Sequence, residues 1–347
     1  MTAYQDDITG STTETSPSGP SVAIIGAGMS GLSAANSLRA AGAHVRLFEK
    51  SRGPGGRMAT RRTDGSTFDH GAQYFTARHP RFVSRVAGWI DDGIVSEWNG
   101  SIGVFESGSL RDSTGATKRF VGQPRMSALT RYLSDGLDIS FNTRISSINR
   151  ASSGTWRLHD DTGQKHGDFQ FVLSSLPPDQ ASRLVGDNSD LAGRISNVRM
   201  KPCWALMVAF DKRVEVNYDG IFVGDDSSIS WLARNSSKPG RGDVDSWVIH
   251  ASAEWSDHHL EDEKSLIQDV LLTGFKKIVG QAALTPMYSA VHRWRYALAE
   301  NPLNHGVLWD GTGTIGLIGD WTNGSRVEGA FLSGESAALQ LIEGIPS

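Results

Sequence analysis

Val22-Ala23-Ile24-Ile25-Gly26-Ala27-Gly28-Met29-Ser30-Gly31 decides the reading of this chain, together with Glu49, eighteen residues beyond Gly31. The unbroken apolar run Val22–Ile25 has the character of a strand buried on both faces, and Leu32–Leu38 carries helical spacing immediately after the glycines. Gly26 permits a tight turn, Gly28 lets a pyrophosphate approach the backbone, and Gly31 lets helix and strand pack closely. The pyrophosphate would meet free amides at the positive end of a helix dipole. Val45–Glu49 reads as a second strand ending in an acid suited to a ribose hydroxyl pair. The competing reading is a glycine-rich turn in an ordinary βαβ unit.

Length and composition narrow the class. A chain of 347 residues can bury a large core, and its length suggests about two domains. A net charge of −4 offers no basic field, which argues against nucleic acid as a partner. Cys203 is the single cysteine, so an intrachain disulfide is excluded and a reducing, cytoplasmic setting fits. In Cys203–Phe210 it reads as a buried structural thiol. No apolar run approaches the roughly eighteen residues of a membrane span. Residues 1–20 are polar, lack the apolar core of a secretory signal, and read as a disordered extension.

Ser51–Arg62 is a loop by its Gly and Pro content, placed to run along the far side of the same ligand. There Arg57 faces phosphates or simply solvent. Asp69-His70-Gly71-Ala72-Gln73-Tyr74-Phe75 mixes small, polar and aromatic residues. With no second ligand pair at metal spacing, Asp69 and His70 read as structural or capping, and no metal is expected. Residues 83–119 look like an insertion crossing into another domain.

Met126–Leu133 reads as a helix, followed by strand-like segments at Leu137–Ile148, Thr155–His159 and Phe169–Leu173, with a break at Pro177-Pro178. Trp204–Phe210, Ile229–Leu232, Trp247–Ala253 and Ala290–Tyr296 read as antiparallel strands flanking an amphipathic helix. In that helix Leu266, Ile267, Val270, Leu271, Phe275 and Ile278 are core residues, and Glu261–Lys264 is solvated helix-start charge. Gly316–Asp320 and the helix carrying Ala337, Ala338, Leu341 and Ile342 repeat the strand–loop–helix pattern, and are expected to close the first sheet. The fold class is therefore α/β: a Rossmann-like dinucleotide-binding domain (21–82, 120–182 and 300–347) interleaved with an α+β substrate domain on an antiparallel sheet (83–119 and 183–299).

These motifs carry a family resemblance. Gly26–Gly31, Gly55-Gly56-Arg57-Met58, and Gly319-Asp320 with Val327-Glu328-Gly329-Ala330 and Gly334 resemble the FAD-dependent amine oxidase superfamily. Asp69–Phe75, Pro124–Leu129 and His292-Arg293-Trp294-Arg295-Tyr296 resemble its renalase branch. The likeness implies that Gly26, Gly28, Met29, Ser30, Gly31, Glu49 and Lys50 serve the adenosine and pyrophosphate end of FAD. Ile145 would offer backbone atoms to adenine. Gly56, Arg57, Met58, Ala72, Gln73 and Tyr74 would lie at the flavin end, Gly319 and Asp320 along the ribityl chain, and Arg326 and Val327 by the flavin N1–C2 carbonyl.

FAD would be noncovalent, because family members with a covalent link use a cysteine near the flavin and Cys203 matches no such motif. Arg326 stands where monoamine oxidases place an aromatic residue of their amine cage, which disfavours simple amines. Renalases oxidise dihydronicotinamide isomers of NAD(P)H that carry hydride on carbon 2 or 6. The resemblance thus implies a dihydronicotinamide dinucleotide as substrate, molecular oxygen as acceptor and hydrogen peroxide as product. His250, Trp294, Gln73 and Tyr74 are the candidate catalytic residues, although a strand His or Trp is also ordinary packing. An amine oxidase or related FAD dehydrogenase, and a non-catalytic flavin or NAD sensor, are the alternatives.

Overall fold

A computed structural model describes residues 19–344 except 116, 187–189 and 225–226. All but two residues of the expected N-terminal extension lie outside the described residues.

The first strand, Ser21–Ile25, sits inside a six-stranded sheet. It pairs in parallel with His44–Phe48 on one side and Phe171–Ser174 on the other. Two-sided burial accounts for the unbroken apolar sequence: Val22, Ala23 and Ile24 have no exposed surface. Asp138–Ser140 extends one edge, and Ile315–Leu317 the other, followed by antiparallel Leu308–Trp309. The C-terminal unit therefore joins the sheet begun 290 residues earlier (Ile25 to Ile315). Its helix, Val327–Glu343, lies against Met29–Ala40, where a Cβ on Gly334 would come within 2.1 Å of the Ser30 carbonyl oxygen. Ser33 Oγ donates to the Phe331 carbonyl at 2.9 Å across the same contact.

Two expected strands divide. Leu137–Ile148 becomes Asp138–Ser140 in the parallel sheet and Ile145–Arg150 in a three-stranded antiparallel meander with Trp156–Asp160 and Lys165–Phe169. Asn142 lies between them in the left-handed region, φ 52°, a conformation asparagine tolerates and a strand does not contain. Phe169 and Phe171 likewise belong to different sheets, with Gln170 at the corner.

The second layer is a seven-stranded sheet ordered Tyr288–Ala299, Met200–Phe210, Asp245–Ala251, Ile229–Arg234, Gly220–Val223, Ile102–Glu106, Ser109–Asp112. Every pairing is antiparallel except Gly220–Val223 with Ile102–Glu106. The preceding helix, Pro80–Asp91, instead packs Phe82 and Trp89 on Phe331 of the last helix. Period-two alternation gives the long strands two different faces. Trp204, Leu206, Val208 and Phe210 join Trp247, Ile249, Ile267, Leu271 and Phe275 in a core under helix Lys264–Ile278. Leu266 is 52% exposed and Val270 half-buried, so the helix buries a narrower stripe than its sequence suggests. Glu261 precedes that helix and is tied to Arg293 and Arg295 rather than being free helix-start charge.

Candidate active site

The nucleotide half of the site is built from backbone. Gly26 has φ +102°, and a Cβ on Gly31 would stand 2.1 Å from the Gly26 carbonyl oxygen, so this strand and helix meet only through glycine. Gly28 is different: nothing lies within 4 Å of a Cβ built there. That opening, beside a helix start with no side-chain cap, is what a pyrophosphate needs. Met29 and Ser30 are buried in the first turn of the helix. Glu49 is 7% exposed and accepts from Ala27 N at 2.9 Å and Ser51 N at 2.8 Å. The acid braces the glycine loop, and each carboxylate oxygen retains a lone pair for a hydroxyl.

Gly55 N donates to the Ala27 carbonyl at 3.0 Å, which lays the Gly55–Met58 loop alongside the first. Met58 is buried, and Arg57 half-buried. Arg57 forms a two-pronged pair with Asp320, Nη1–Oδ2 2.8 Å and Nη2–Oδ1 2.5 Å, and also donates to the Ala297 carbonyl. Arg57 thus pairs with a carboxylate, a role its loop composition left undecided. Ala72 N donates to the Arg57 carbonyl at 2.8 Å, bringing in the Gln73 segment. Ser325 N donates to the Asp320 carbonyl at 2.8 Å, and Val327 then opens the last helix behind an exposed Arg326. Ile145 is buried at the start of its strand, and Lys50 is exposed beside Glu49.

The other half is built from side chains on one face of the seven-stranded sheet. Strand register aligns His292, Ala205, His250 and Trp231 in a single row across four strands, with Trp294 and Cys203 opposite each other two residues along. Ala205 leaves room between the two imidazoles. His70, from the Asp69–Phe75 segment, stacks on Trp294 with centroids 5.1 Å apart and meets His292 edge-on at 4.7 Å. Trp294 Nε1 donates to the His70 carbonyl at 2.9 Å. Burial holds His70, His250 and His292 near a pKa of about 4, with Arg61 adding to the effect at His70 and His292 and Lys264 at His292. All three rings are therefore neutral at pH 7. Cys203, remote from the family motifs in sequence, is beside Trp294 in space. Burial raises its thiol to a pKa of about 12, so it is no nucleophile.

Behind Gln73 is a buried charge cluster that sequence reasoning missed. Asp69 is fully buried and accepts from Thr60 Oγ1 (2.7 Å), Met126 N (3.0 Å), and Arg241 Nε and Nη2 (3.1 and 2.6 Å). Its reading as a structural residue agrees with these partners. Lys238 Nζ lies 3.8 Å from the same carboxylate, and burial lowers that ammonium to a pKa of about 7. Two cations thus share one acid. Tyr74 packs with Trp231 and Trp98, at centroid distances of 5.6 and 6.1 Å. The segment Asn235–Arg241 offered only one local clue, two cations around a Pro-Gly turn, and that pattern ordinarily marks an exposed loop.

A dinucleotide cradle of glycine loops is joined through the half-buried Arg57, paired with Asp320, to a sheet face of neutral rings, an arrangement suited to a flavin-type oxidoreductase. Comparison with known sequences gives the family. Residues 24–87 match the NAD(P)-binding Rossmann-like domain and residues 100–342 match the flavin containing amine oxidoreductase family. The chain belongs to that flavin-containing family, and FAD is its cofactor.

Among solved structures, a protein from Exiguobacterium sp. 255-15 named as a protoporphyrinogen oxidase superposes with a TM-score of 0.80 at 16% identity, covering 94% of this chain and all of that one. Cyclohexylamine oxidase from Brevibacterium oxydans gives 0.73 at 13% identity, with 94% and 99% covered. At such identities the likeness is one of fold. A 4,4'-diapophytoene desaturase from Staphylococcus haemolyticus is 50% identical over 50 residues, 14% of this chain and 10% of its own length. A 4,4'-diapolycopene oxygenase from Methylomonas is 48% identical over 58 residues, 17% and 12% of the two lengths. The chain therefore spans only about a tenth of the length of these curated relatives. Among the described residues, no helix is long and apolar enough to cross a membrane.

Proposed function

We propose that this protein is a renalase-like oxidase, taking a dihydronicotinamide dinucleotide with hydride on carbon 2 or 6 back to NAD(P)+. The observation that carries the reading is the character of the sheet face: neutral aromatic and imidazole rings from His70, His292 and Trp294, with Arg61 and Lys264 close enough to depress the histidines. A cationic amine would find no open carboxylate at Asp69, whose oxygens are taken by Arg241, Thr60 and a backbone amide. A neutral dihydropyridine ring on an anionic dinucleotide suits both the rings and the cations.

When bound, FAD supplies a hydride acceptor at N5, and molecular oxygen takes the electrons on to hydrogen peroxide. Aromatisation of the substrate ring drives the transfer, so no side chain need remove a proton first. This matches three histidines too weakly basic for that task. Trp294 and His250 orient the ring, Gln73 and Tyr74 border the isoalloxazine, and closure of the sheet face excludes water. In the same proposal, Gly26–Gly31, Glu49 and Lys50 hold the adenosine and pyrophosphate end, and Ile145 meets adenine. Gly56–Met58, Ala72, Gly319, Asp320, Arg326 and Val327 hold the flavin and ribityl end. Residues 21–82, 120–182 and 300–347 form the FAD-binding domain of a cytoplasmic enzyme.

The test is anaerobic. Borohydride-reduced NAD, a mixture of the 2-, 4- and 6-dihydro isomers, is mixed with the yellow protein while the visible flavin band is followed. Rapid bleaching by the mixture, with pure NADH inert, is the expected result. No bleaching, followed by bleaching with a primary or secondary amine, would replace this reading with an amine oxidase.

A further inference from the structure

Gln73 and His250 hang on one hydrogen-bond chain, and its far end is a lysine almost without solvent access. Lys238 is 2% exposed, with Nζ 3.0 Å from Gln73 Oε1 and 3.2 Å from Asn235 Oδ1. A lysine with these neighbours donates to both, so each amide must turn its oxygen toward it. Asn235 is held the same way from its other end, Nδ2 donating to the Thr67 carbonyl at 2.7 Å. Gln73 is left with two Nε2 hydrogens and two neighbours, the Asp69 carbonyl and, at 3.2 Å, His250 Nε2.

The second of those contacts is a hydrogen bond only if His250 Nε2 is bare. The His70 carbonyl, 3.1 Å from the same nitrogen, keeps a second lone pair beside the one that Trp294 Nε1 fills at 2.9 Å and would favour the opposite tautomer, but a carbonyl with one donor bears an empty lone pair better than the Gln73 N–H bears facing another N–H. We propose that Lys238 is a positioning residue that acts through Gln73: by holding Oε1 it aims the Gln73 amide hydrogens at His250 and keeps the His250 proton on Nδ1. Burial brings the Lys238 pKa to about 7, yet the neutral amine still has two hydrogens for two amide oxygens. The arrangement therefore persists across neutral pH. Asp69 and Arg241, the charged groups packed beside Lys238, are paired with each other and do not compete for Gln73 Oε1. Only the catalytic consequence rests on the function proposed above; the tautomer does not.

The experiment is nitrogen-15 imidazole NMR on the FAD-loaded protein with labelled histidine, the His250 signals being identified by their loss in His250→Asn. Wild type and Lys238→Arg are expected to carry the proton on Nδ1 on either side of neutrality. Lys238→Met leaves Gln73 Oε1 without its donor and lowers the Nδ1–H to Nε2–H ratio by about fivefold, the worth of one hydrogen bond. Gln73→Glu, which offers His250 an acceptor, moves the proton to Nε2. A wild-type His250 protonated at Nε2, or a ratio unchanged in Lys238→Met, overturns the proposal. Should Lys238→Met fail to fold, wild type and Gln73→Glu decide. In stopped flow, Lys238→Met slows flavin bleaching without changing the donor's half-saturation, and Lys238→Arg restores the rate. Absence of bleaching in wild type overturns the function reading alone.

Discussion

The two halves of the site are made of different material. Around Gly26–Gly31 the ligand is met by main chain: glycines, amides and one carboxylate that braces them. The face of the seven-stranded sheet is instead lined by side chains from distant segments, backed by a buried cluster in which two cations share one acid. A backbone site depends on what is absent, the Cβ atoms. A side-chain site depends on long-range partners being present, so the two should fail in different ways.

The sharpest break of that comparison lies within the glycine loop itself. Gly31→Val drives a Cβ into the Gly26 carbonyl, a contact of 2.1 Å that backbone cannot relieve. We expect a loss above about 4 kcal/mol and little soluble protein. A Cβ at Gly28 meets nothing within 4 Å, so Gly28→Val should melt like wild-type apoprotein and yet purify colourless. Circular dichroism melts and the visible flavin absorbance separate the two. A yellow Gly28→Val protein would remove the pyrophosphate from that loop.

On the side-chain half, Asp69→Asn strands Arg241 and Lys238 in the interior. Breaking a buried pair in this way costs about 3–5 kcal/mol, to be read from urea unfolding. FAD should still bind under native conditions, since the glycine loops are untouched.

The smallest effect is one of pH. The unfolded chain protonates its histidines near pH 6.5, whereas burial delays His70 until about pH 4. The unfolded state then holds more protons in between, so this group's contribution to stability falls as pH drops through that interval and is flat above it. His70→Asn should recover about 2 kcal/mol of the difference between urea unfolding at pH 7 and pH 5. An acid slope identical to wild type would mean that His70 is solvated.

Lys238, Asn235 and Arg241 mark the limit of what could be read from sequence. The stretch Asn235–Arg241 has the composition of a surface turn, and its burial is decided by Asp69, 172 residues from Arg241. Glu261 was equally opaque, because its partners Arg293 and Arg295 lie on a strand more than thirty residues away. Cys203 looked remote from the flavin motifs until strand pairing set it opposite Trp294. The Cys203–Trp294 contact is set by sheet register and the other two by loops brought against distant partners, and no local spacing encodes either.

What the sequence by itself determined is the nucleotide half. A strand buried on both faces must be apolar throughout, a close helix–strand crossing must be glycine, and the acid must end the next strand, so all three constraints fall within thirty residues. Tertiary structure alone decided the sheet-face half. The row His292, Ala205, His250, Trp231 exists only because four strands align in one register, and the charges of Asp69, Lys238 and Arg241 are tolerable inside the protein only because folding brings them together.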